Sequence, residues 1–186
     1  KMSSSIAIAS GKGGVGKTTI AVNLSLTLCQ MGSKVSLMDA DFGLANAHIL
    51  LGINPKRTIR DLLKNELPLE DIIETGPSGL KFISGGNGLI DILNIEKNSK
   101  YQLIRALDPI QKNTDYLLVD IPAGASDNSM TFASAVDKLI IVLVSEPTSF
   151  MDAYTFIKTA KLDHNIHHFS IVVNMTENGK EAENTF

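Results

Sequence analysis

The sequence predicts an α/β fold of three layers, in which a mostly parallel central sheet is flanked by helices on both faces. Short apolar segments with strand character alternate along the chain with segments of helical periodicity. Residues 139–144 are all apolar, which is typical of a central strand buried on both faces. Several predicted strands end in a polar residue, as binding residues do at the carboxyl edge of a parallel sheet. The predicted strands cover residues 5–10, 34–38, 80–84, 116–120, 138–144 and 169–174.

The first predicted strand leads into a glycine-rich loop, which continues as a predicted helix over residues 19–31. The loop fits the phosphate-binding pattern G-x-x-x-x-G-K-[ST]. Glycines have no Cβ atom, so consecutive N–H groups can point towards one anion, and the helix N-terminus adds its positive dipole. The sequence therefore predicts a site for the phosphates of a nucleoside triphosphate. The loop residues are Gly11, Lys12, Gly13, Gly14, Val15, Gly16, Lys17, Thr18 and Thr19.

The last three loop residues have separate expected roles. We expect Lys17 to reach the β- and γ-phosphates and Thr19 to contact the α-phosphate. The hydroxyl of Thr18 is expected to bind Mg²⁺, which prefers hard oxygen ligands.

Three aspartates lie at or just after the ends of predicted strands, where their carboxylates could serve the predicted phosphate and Mg²⁺ site. Asp39 and Asp41 come directly after the second strand, and the residues leave open which faces the metal and which orients an attacking water. Asp120 ends the strand Tyr-Leu-Leu-Val-Asp, the arrangement in which a buried strand delivers one carboxylate to the Mg²⁺ shell.

The remaining segments predict connecting structure. We expect short helices over residues 58–63 and 69–73, a turn over residues 85–88, and an amphipathic helix over residues 101–112. In the last of these, the residues expected to face the core are Leu103, Ile104, Leu107 and Ile110.

Composition and charge limit the possible functions. The 186 residues are enough for a single domain over 1–186, and a net charge of −3 argues against a strongly basic nucleic-acid surface. Specific nucleic-acid binding is therefore not expected. The single cysteine, Cys29, excludes a disulfide framework within the chain. No apolar run has the length of a transmembrane helix, and the first residues do not form a secretion signal, so we expect a cytoplasmic protein.

Lys12 gives the loop a more specific character, because it completes the deviant Walker A pattern K-G-G-x-G-K-[ST]. The segment D-A-D-F-G-L-A-N at residues 39–46, the D-x-P-A-G segment after Asp120 and E-P-T-S-x-x-D-A-Y at residues 146–154 agree with it. With these motifs the chain resembles the MinD/ParA family of P-loop ATPases. It is most similar to the branch of flagellar-number regulators of the FlhG/FleN type.

The resemblance implies a three-layer P-loop NTPase fold that binds and hydrolyses ATP with Mg²⁺, slowly and with stimulation by a partner. Lys12 would cross to the nucleotide of a second subunit, so that a homodimer forms across two ATP molecules. Asp41 would position the hydrolytic water, and Asn174 would bind the adenine. The implied metal residues are Thr18, Asp39 and Asp120, and the implied switch II residues are Pro122, Ala123 and Gly124.

The resemblance also implies a regulatory protein partner, which could be a flagellar GTPase, a flagellar switch protein or a transcription regulator. A family member of full length would continue beyond residue 186. In membrane-associated members a C-terminal amphipathic helix holds the protein at the inner face of the cell membrane.

Other functions remain as alternatives. Within the family these are positioning of the cell-division site and chromosome partitioning. Outside it, a small-molecule kinase or ligase similar to dethiobiotin synthetase would need polar anchors for a substrate, and no candidate set is evident. A redox protein similar to the nitrogenase iron protein would need a switch II cysteine, which is missing.

Overall fold

The computed structural model describes residues 3–41, 46–64, 67–86, 105 and 108–184. The described strands form one seven-stranded sheet in the order β3-β4-β2-β5-β1-β6-β7. They are β1 (Ser4–Ser10), β2 (Val35–Asp39), β3 (Ile73–Thr75), β4 (Lys81–Ser84), β5 (Tyr116–Asp120), β6 (Lys138–Val144) and β7 (Phe169–Asn174). The described helices are α1 (Lys17–Gln30), α2 (Ala47–Leu51), α3 (Ile59–Leu63), α4 (Asp127–Ser134), α5 (Pro147–His164) and α6 (Gly179–Asn184). Leu69–Ile72 and Pro77–Gly79 form 3₁₀ turns.

Alternating side chains of the central strand β1 pack on opposite faces of the sheet. Ala7 belongs to a buried cluster that includes Phe156 of α5, whereas Ile8 belongs to a second cluster that includes Val22 of α1. Helices therefore cover both faces, and the predicted three-layer fold with a mostly parallel sheet is confirmed.

Parallel pairing brings the carboxyl ends of the strands to one edge. Asp39 of β2 lies opposite Asp120 of β5, and Val144 of β6 lies opposite Asn174 of β7. Ser10, the last residue of β1, pairs with Val142 of β6 and is followed directly by the glycine loop. The edge therefore collects the loop, both aspartates and the asparagine.

The connection between α3 and β4 differs from the prediction. Residues 69–73 were expected to be helical throughout, but the 3₁₀ turn ends at Ile72, and Ile73 begins the edge strand β3. That strand pairs antiparallel with β4, with Ile73 opposite Ile83. The helix prediction is wrong at Ile73 because pairing with a distant strand fixes its backbone. By contrast, α3 begins after Thr58, where a capping box with Asp61 satisfies backbone N–H groups.

Some predicted features lie outside the described residues. These are residues 42–45 of the D-A-D-F-G-L-A-N segment, the end of the turn expected over 85–88, and half of the helix expected over 101–112, including Leu103, Ile104 and Leu107. Residues 108–112 of that helix are helical, and Ile110 is buried as expected. Among the helices that the structure describes, none has the length and apolar character needed to cross a membrane.

Candidate nucleotide site

The glycine loop has the backbone that close approach to phosphates requires. Gly14 and Gly16 have φ angles of 81° and 85°, a left-handed region that favours glycine. Helix α1 begins at Lys17, so its first N–H groups open onto the loop. Gly11 packs against α5, because a Cβ atom at this position would lie 2.2 Å from the backbone carbonyl carbon of Asp152. The loop is thus held from outside as well as by its own sequence.

Lys17 and Asp120 form a buried ion pair. The Nζ atom of Lys17 lies 2.5 Å from Oδ1 of Asp120, and their side chains are 7% and 0% exposed. Burial raises the pKa of Asp120, while the nearby charge of Lys17 opposes this rise. Thr18 also lies near enough to lower the pKa of Asp120. Oδ2 of Asp120 is buried and has no hydrogen-bond partner of normal geometry among the described residues.

Asp39 is also buried beside this pair, with 1% of its surface exposed. Its Oδ1 accepts a hydrogen bond from the N–H of Asp41 at 3.1 Å, and its Oδ2 accepts one from the N–H of Ala47 at 3.0 Å. Burial, followed by the charge of Asp120, raises the pKa of Asp39 to about 6. Two carboxylates and one ammonium group therefore share a site from which water is largely excluded.

A cavity of about 430 Å³ opens in front of these charges. This volume is within the usual range for small-ligand sites, about 300–1,000 Å³. Loop residues form one side, and Asp41 with residues around α2 forms another. The lining residues are Ser10, Gly13, Gly14, Gly16, Lys17, Thr18, Thr19, Asp41, Asn46, Ile49, Leu50 and Ala123.

Lys12 points elsewhere, towards the N-terminus of α5. Its Nζ donates to Oε2 of Glu146 at 2.8 Å and to Oγ1 of Thr148 at 3.2 Å. The ion pair is open to solvent, since the two side chains are 32% and 61% exposed. Lys12 is therefore not among the residues that line the cavity of the single chain. Sequence reasoning named Glu146 and Thr148 only as part of the segment 146–154, and it missed their contact with Lys12, which lies more than 130 positions away.

Asn174 lies against the loop from the end of β7. Its Nδ2 donates to the carbonyl oxygen of Val15 at 2.9 Å. A Cβ atom at Gly16 would lie 2.4 Å from the same Nδ2 and would displace the Asn174 side chain, and the φ angle of 85° also favours glycine there. The predicted adenine contact of Asn174 stays a prediction, and the structure adds a bond to the loop that the sequence did not indicate.

The segment predicted to be switch II, Pro122 to Gly124, is bonded to its neighbours on both sides. The N–H of Gly124, with φ of 85°, donates to the carbonyl oxygen of Ser10 at 2.8 Å. The fully buried Ser129 of α4 donates its hydroxyl to the carbonyl oxygen of Pro122 at 3.0 Å. Sequence reasoning singled out neither Ser10 nor Ser129. For Ser129 a signal was available, because Ser126, three residues earlier, is the N-cap residue of α4.

The donors at this edge fit a hard divalent cation. The hydroxyl of Thr18 and the carboxylate of Asp120 are oxygen ligands of the kind that Mg²⁺ prefers. The unused, buried Oδ2 of Asp120 provides a coordinating atom that the protein itself does not satisfy.

Comparisons with known proteins agree with this geometry. The family model ParA, described as an NUBPL iron-transfer P-loop NTPase, matches residues 1–185. The antiactivator FleN of Pseudomonas aeruginosa is 39% identical over 181 residues, which are 97% of this chain and 65% of FleN. The flagellum site-determining protein YlxH of Helicobacter pylori is 34% identical, over 97% of this chain and 61% of YlxH. The chain thus spans slightly less than two thirds of these relatives.

Solved structures show the same likeness. MinD in the MinC:MinD cell division complex of Aquifex aeolicus superimposes with a TM-score of 0.81 at 28% identity, over 98% of this chain and 73% of that one. MinD of Pyrococcus horikoshii, complexed with Mg-ADP, gives 0.81 at 26% identity, over 100% of this chain and 78% of that one. The resemblance inferred from the motifs is confirmed.

Proposed function

The chain belongs to the ParA family of P-loop NTPases, and we propose that it is a MinD/ParA-type ATPase that acts as an ATP-dependent dimerisation switch. The observation that carries the proposal is a cavity lined by the glycine loop with its Lys17 and by Asp41, where Lys17 is also paired with the buried Asp120. Phosphate-binding N–H groups, a cation and carboxylates meet there at the carboxyl edge of a parallel sheet, where α/β proteins bind nucleotides.

In the proposed binding step, Lys17 exchanges one anionic partner for another. Its ammonium group pairs with Asp120, and the β- and γ-phosphates of ATP would replace that carboxylate. The N–H groups of the loop and of the first turn of α1 would bind the remaining phosphate oxygens, with Thr19 near the α-phosphate. The buried positive charge of Lys17 would therefore be compensated by a carboxylate before binding and by phosphate oxygens after it.

The exchange also frees Asp120 for a metal. Thr18 and Asp120 would hold Mg²⁺, and Asp39, opposite Asp120 in the sheet, adds a second carboxylate to the surroundings of the metal. When bound, Mg²⁺ neutralises phosphate charge in the transition state. Asp41, at the cavity wall, would orient the attacking water, and Lys17 would stabilise charge on the transferred phosphoryl group.

The proposed dimer depends on Lys12. Its exposed pairing with Glu146 is of a kind that contributes little stability, at most about 1 kcal/mol. Lys12 can therefore leave Glu146 at low cost and cross to the phosphates of a second copy. Pro122, Ala123 and Gly124 would carry the change in the nucleotide to the dimer surface, and Asn174 would bind the adenine.

The names of the relatives support a cellular role. FleN is an antiactivator and YlxH determines the flagellum site, so we propose regulation of flagellar number or placement. The partner would be a flagellar GTPase, a flagellar switch protein or a transcription regulator, and the protein would act in the cytoplasm or peripherally at the inner membrane face. Septum site-determining MinD proteins are also relatives, at 30–32% identity, which keeps division-site placement as the alternative within the family.

Phosphate release from ATP with no added substrate tests the activity. We expect slow release by the wild-type protein, loss of ATP binding in Lys17→Ala, and retained binding with about 100-fold slower turnover in Asp41→Ala. Matched controls are Lys161→Ala and Asp163→Ala, which change exposed residues near the far end of α5. Turnover that requires a small-molecule acceptor would instead favour the kinase or ligase class.

A further inference from the structure

The carboxylate of Asp39 holds the backbone at two places beyond β2. The N–H of Asp41 donates to its Oδ1 at 3.1 Å, and the N–H of Ala47, the first residue of α2, donates to its Oδ2 at 3.0 Å. Asp39 and Ala47 are both buried. One side chain thus fixes two backbone positions that are six residues apart.

These two positions carry one wall of the cavity. Asp41 lines the cavity directly, and Asn46, Ile49 and Leu50 line it from the start of α2 onward. Since the N–H groups of Asp41 and Ala47 are bonded to the same carboxylate, the location of this wall relative to the sheet depends on Asp39. The opposite wall, formed by the glycine loop, is held by other contacts, which include the packing of Gly11 against α5 and the bond from Asn174 to Val15.

The two buried aspartates are used differently. Asp120 has Lys17 on Oδ1, and its Oδ2 has no hydrogen-bond partner of normal geometry among the described residues, so one oxygen remains for a metal. Both oxygens of Asp39 are directed at backbone N–H groups. Hydrogen bonds to an ionised acceptor are about twice as strong as neutral ones. Asp39 is therefore better suited to hold the chain, and Asp120 to hold the cation.

We propose that Asp39 is a positioning residue, which supports ATP hydrolysis mainly by holding the N–H groups of Asp41 and Ala47 and thereby the cavity wall that carries Asp41. The effect on turnover rests on the proposed ATPase function. The hold on the backbone rests on the two hydrogen bonds to Asp39 and does not depend on that function.

Amide hydrogen exchange, followed residue by residue by NMR in the nucleotide-free protein, tests the hold. Both amides should be protected in the wild type. In Asp39→Asn, at least one of them should exchange about tenfold faster or more, because asparagine keeps only one acceptor oxygen. Wild-type amides without protection, or unchanged exchange of both amides in the variant, would overturn the proposal. If the variant does not fold, the wild-type protein still tests the proposal, because unprotected amides of Asp41 and Ala47 would overturn it.

A matched control is available at the opposite edge of the sheet. Asp137 accepts the N–H of Ser5 at 2.8 Å through Oδ2, far from the cavity. Asp137→Asn makes the same chemical change and should alter exchange at Ser5, with Asp41 and Ala47 left at their wild-type rates.

Steady-state kinetics separate positioning from metal binding. For Asp39→Asn we expect kcat to fall about 10- to 100-fold, since small misplacements of reacting groups cost rates of that order. The half-saturating Mg²⁺ concentration and the affinity for Mg·ADP should stay within about twofold of wild type, as Thr18 and Asp120 are intact. An unchanged kcat with a raised Mg²⁺ requirement would overturn the proposal. Absence of turnover in the wild type would refute the ATPase function, and the exchange data would still show whether Asp39 holds the backbone.

Discussion

Lys17 of the glycine loop and Asp120 of β5 form an ion pair 103 positions apart, with 2.5 Å between Nζ and Oδ1, at a site from which solvent is excluded. Each of these groups compensates the buried charge of the other. Under the proposed function, this pair supplies both the phosphate-binding cation and the metal-binding carboxylate.

Loss of Lys17 should therefore affect folding as well as binding. Lys17→Ala leaves the carboxylate of Asp120 buried without its partner, and removing one member of a buried pair costs about 3–5 kcal/mol. Urea denaturation of the nucleotide-free protein measures this change in the free energy of unfolding.

Lys12→Ala is the matched comparison, because it removes a lysine of the same loop from the exposed pair with Glu146. It should cost no more than about 1 kcal/mol. Equal costs for the two variants would show that the Lys17–Asp120 pair is not buried as described.

Two loop glycines should respond differently to the same substitution. A Cβ atom at Gly11 would overlap the backbone at Asp152, which no side-chain rotation can relieve, whereas one at Gly13 meets nothing within 4 Å. We expect Gly11→Ala to lower the free energy of unfolding by about 3 kcal/mol, the upper part of the range for overpacking. Gly13→Ala should stay within about 0.5 kcal/mol of wild type. Thermal and urea unfolding measure both changes. A larger loss of stability in Gly13→Ala than in Gly11→Ala would contradict this prediction.

The stability of the metal-free protein should depend on pH through Asp39. Burial and the charge of Asp120 raise its pKa from 3.8 to about 6 in the folded chain. Between these values the folded state keeps a proton that the unfolded chain has released, so the free energy of unfolding falls as pH rises from about 4 to about 6. The full loss is at most roughly 3 kcal/mol, at 1.36 kcal/mol per pKa unit.

Asp39→Asn cannot titrate at this position, and it also removes the charge interaction with Asp120. The stability difference, variant minus wild type, should become more positive by about 2 kcal/mol between pH 4 and pH 7. A difference that does not change with pH would mean that Asp39 has an ordinary pKa.

Local sequence patterns predicted much of this molecule. Each apolar run that ends in Asp39, Asp120 or Asn174 forms a parallel strand. The glycine loop joins β1 to α1 as predicted, and Gly14 and Gly16 adopt φ angles that favour glycine. These features depend on a few adjacent residues, whose periodicity and lack of Cβ atoms act locally.

Contacts between distant residues were not predictable in the same way. Strand β3 exists only by pairing with β4, and the bond from Asn174 to Val15 joins positions 159 apart. The contact of Lys12 with Glu146 and the two bonds of Asp39 likewise depend on how the elements meet. The motif indicated which residues are candidates for function, and the packing showed which groups they contact.

In the proposed switch, two copies of the chain dimerise when ATP is bound, and Lys12 of each copy contacts the ATP of the other. Light scattering of Asp41→Ala, in which slow hydrolysis should preserve the ATP state, measures it directly with Mg·ATP and with Mg·ADP. We predict twice the monomer mass with ATP only, and a monomer that still binds nucleotide when Lys12→Ala is added, with Lys161→Ala as the control. A dimer that forms equally well without Lys12, or an ATP-saturated protein that stays monomeric, would contradict the account.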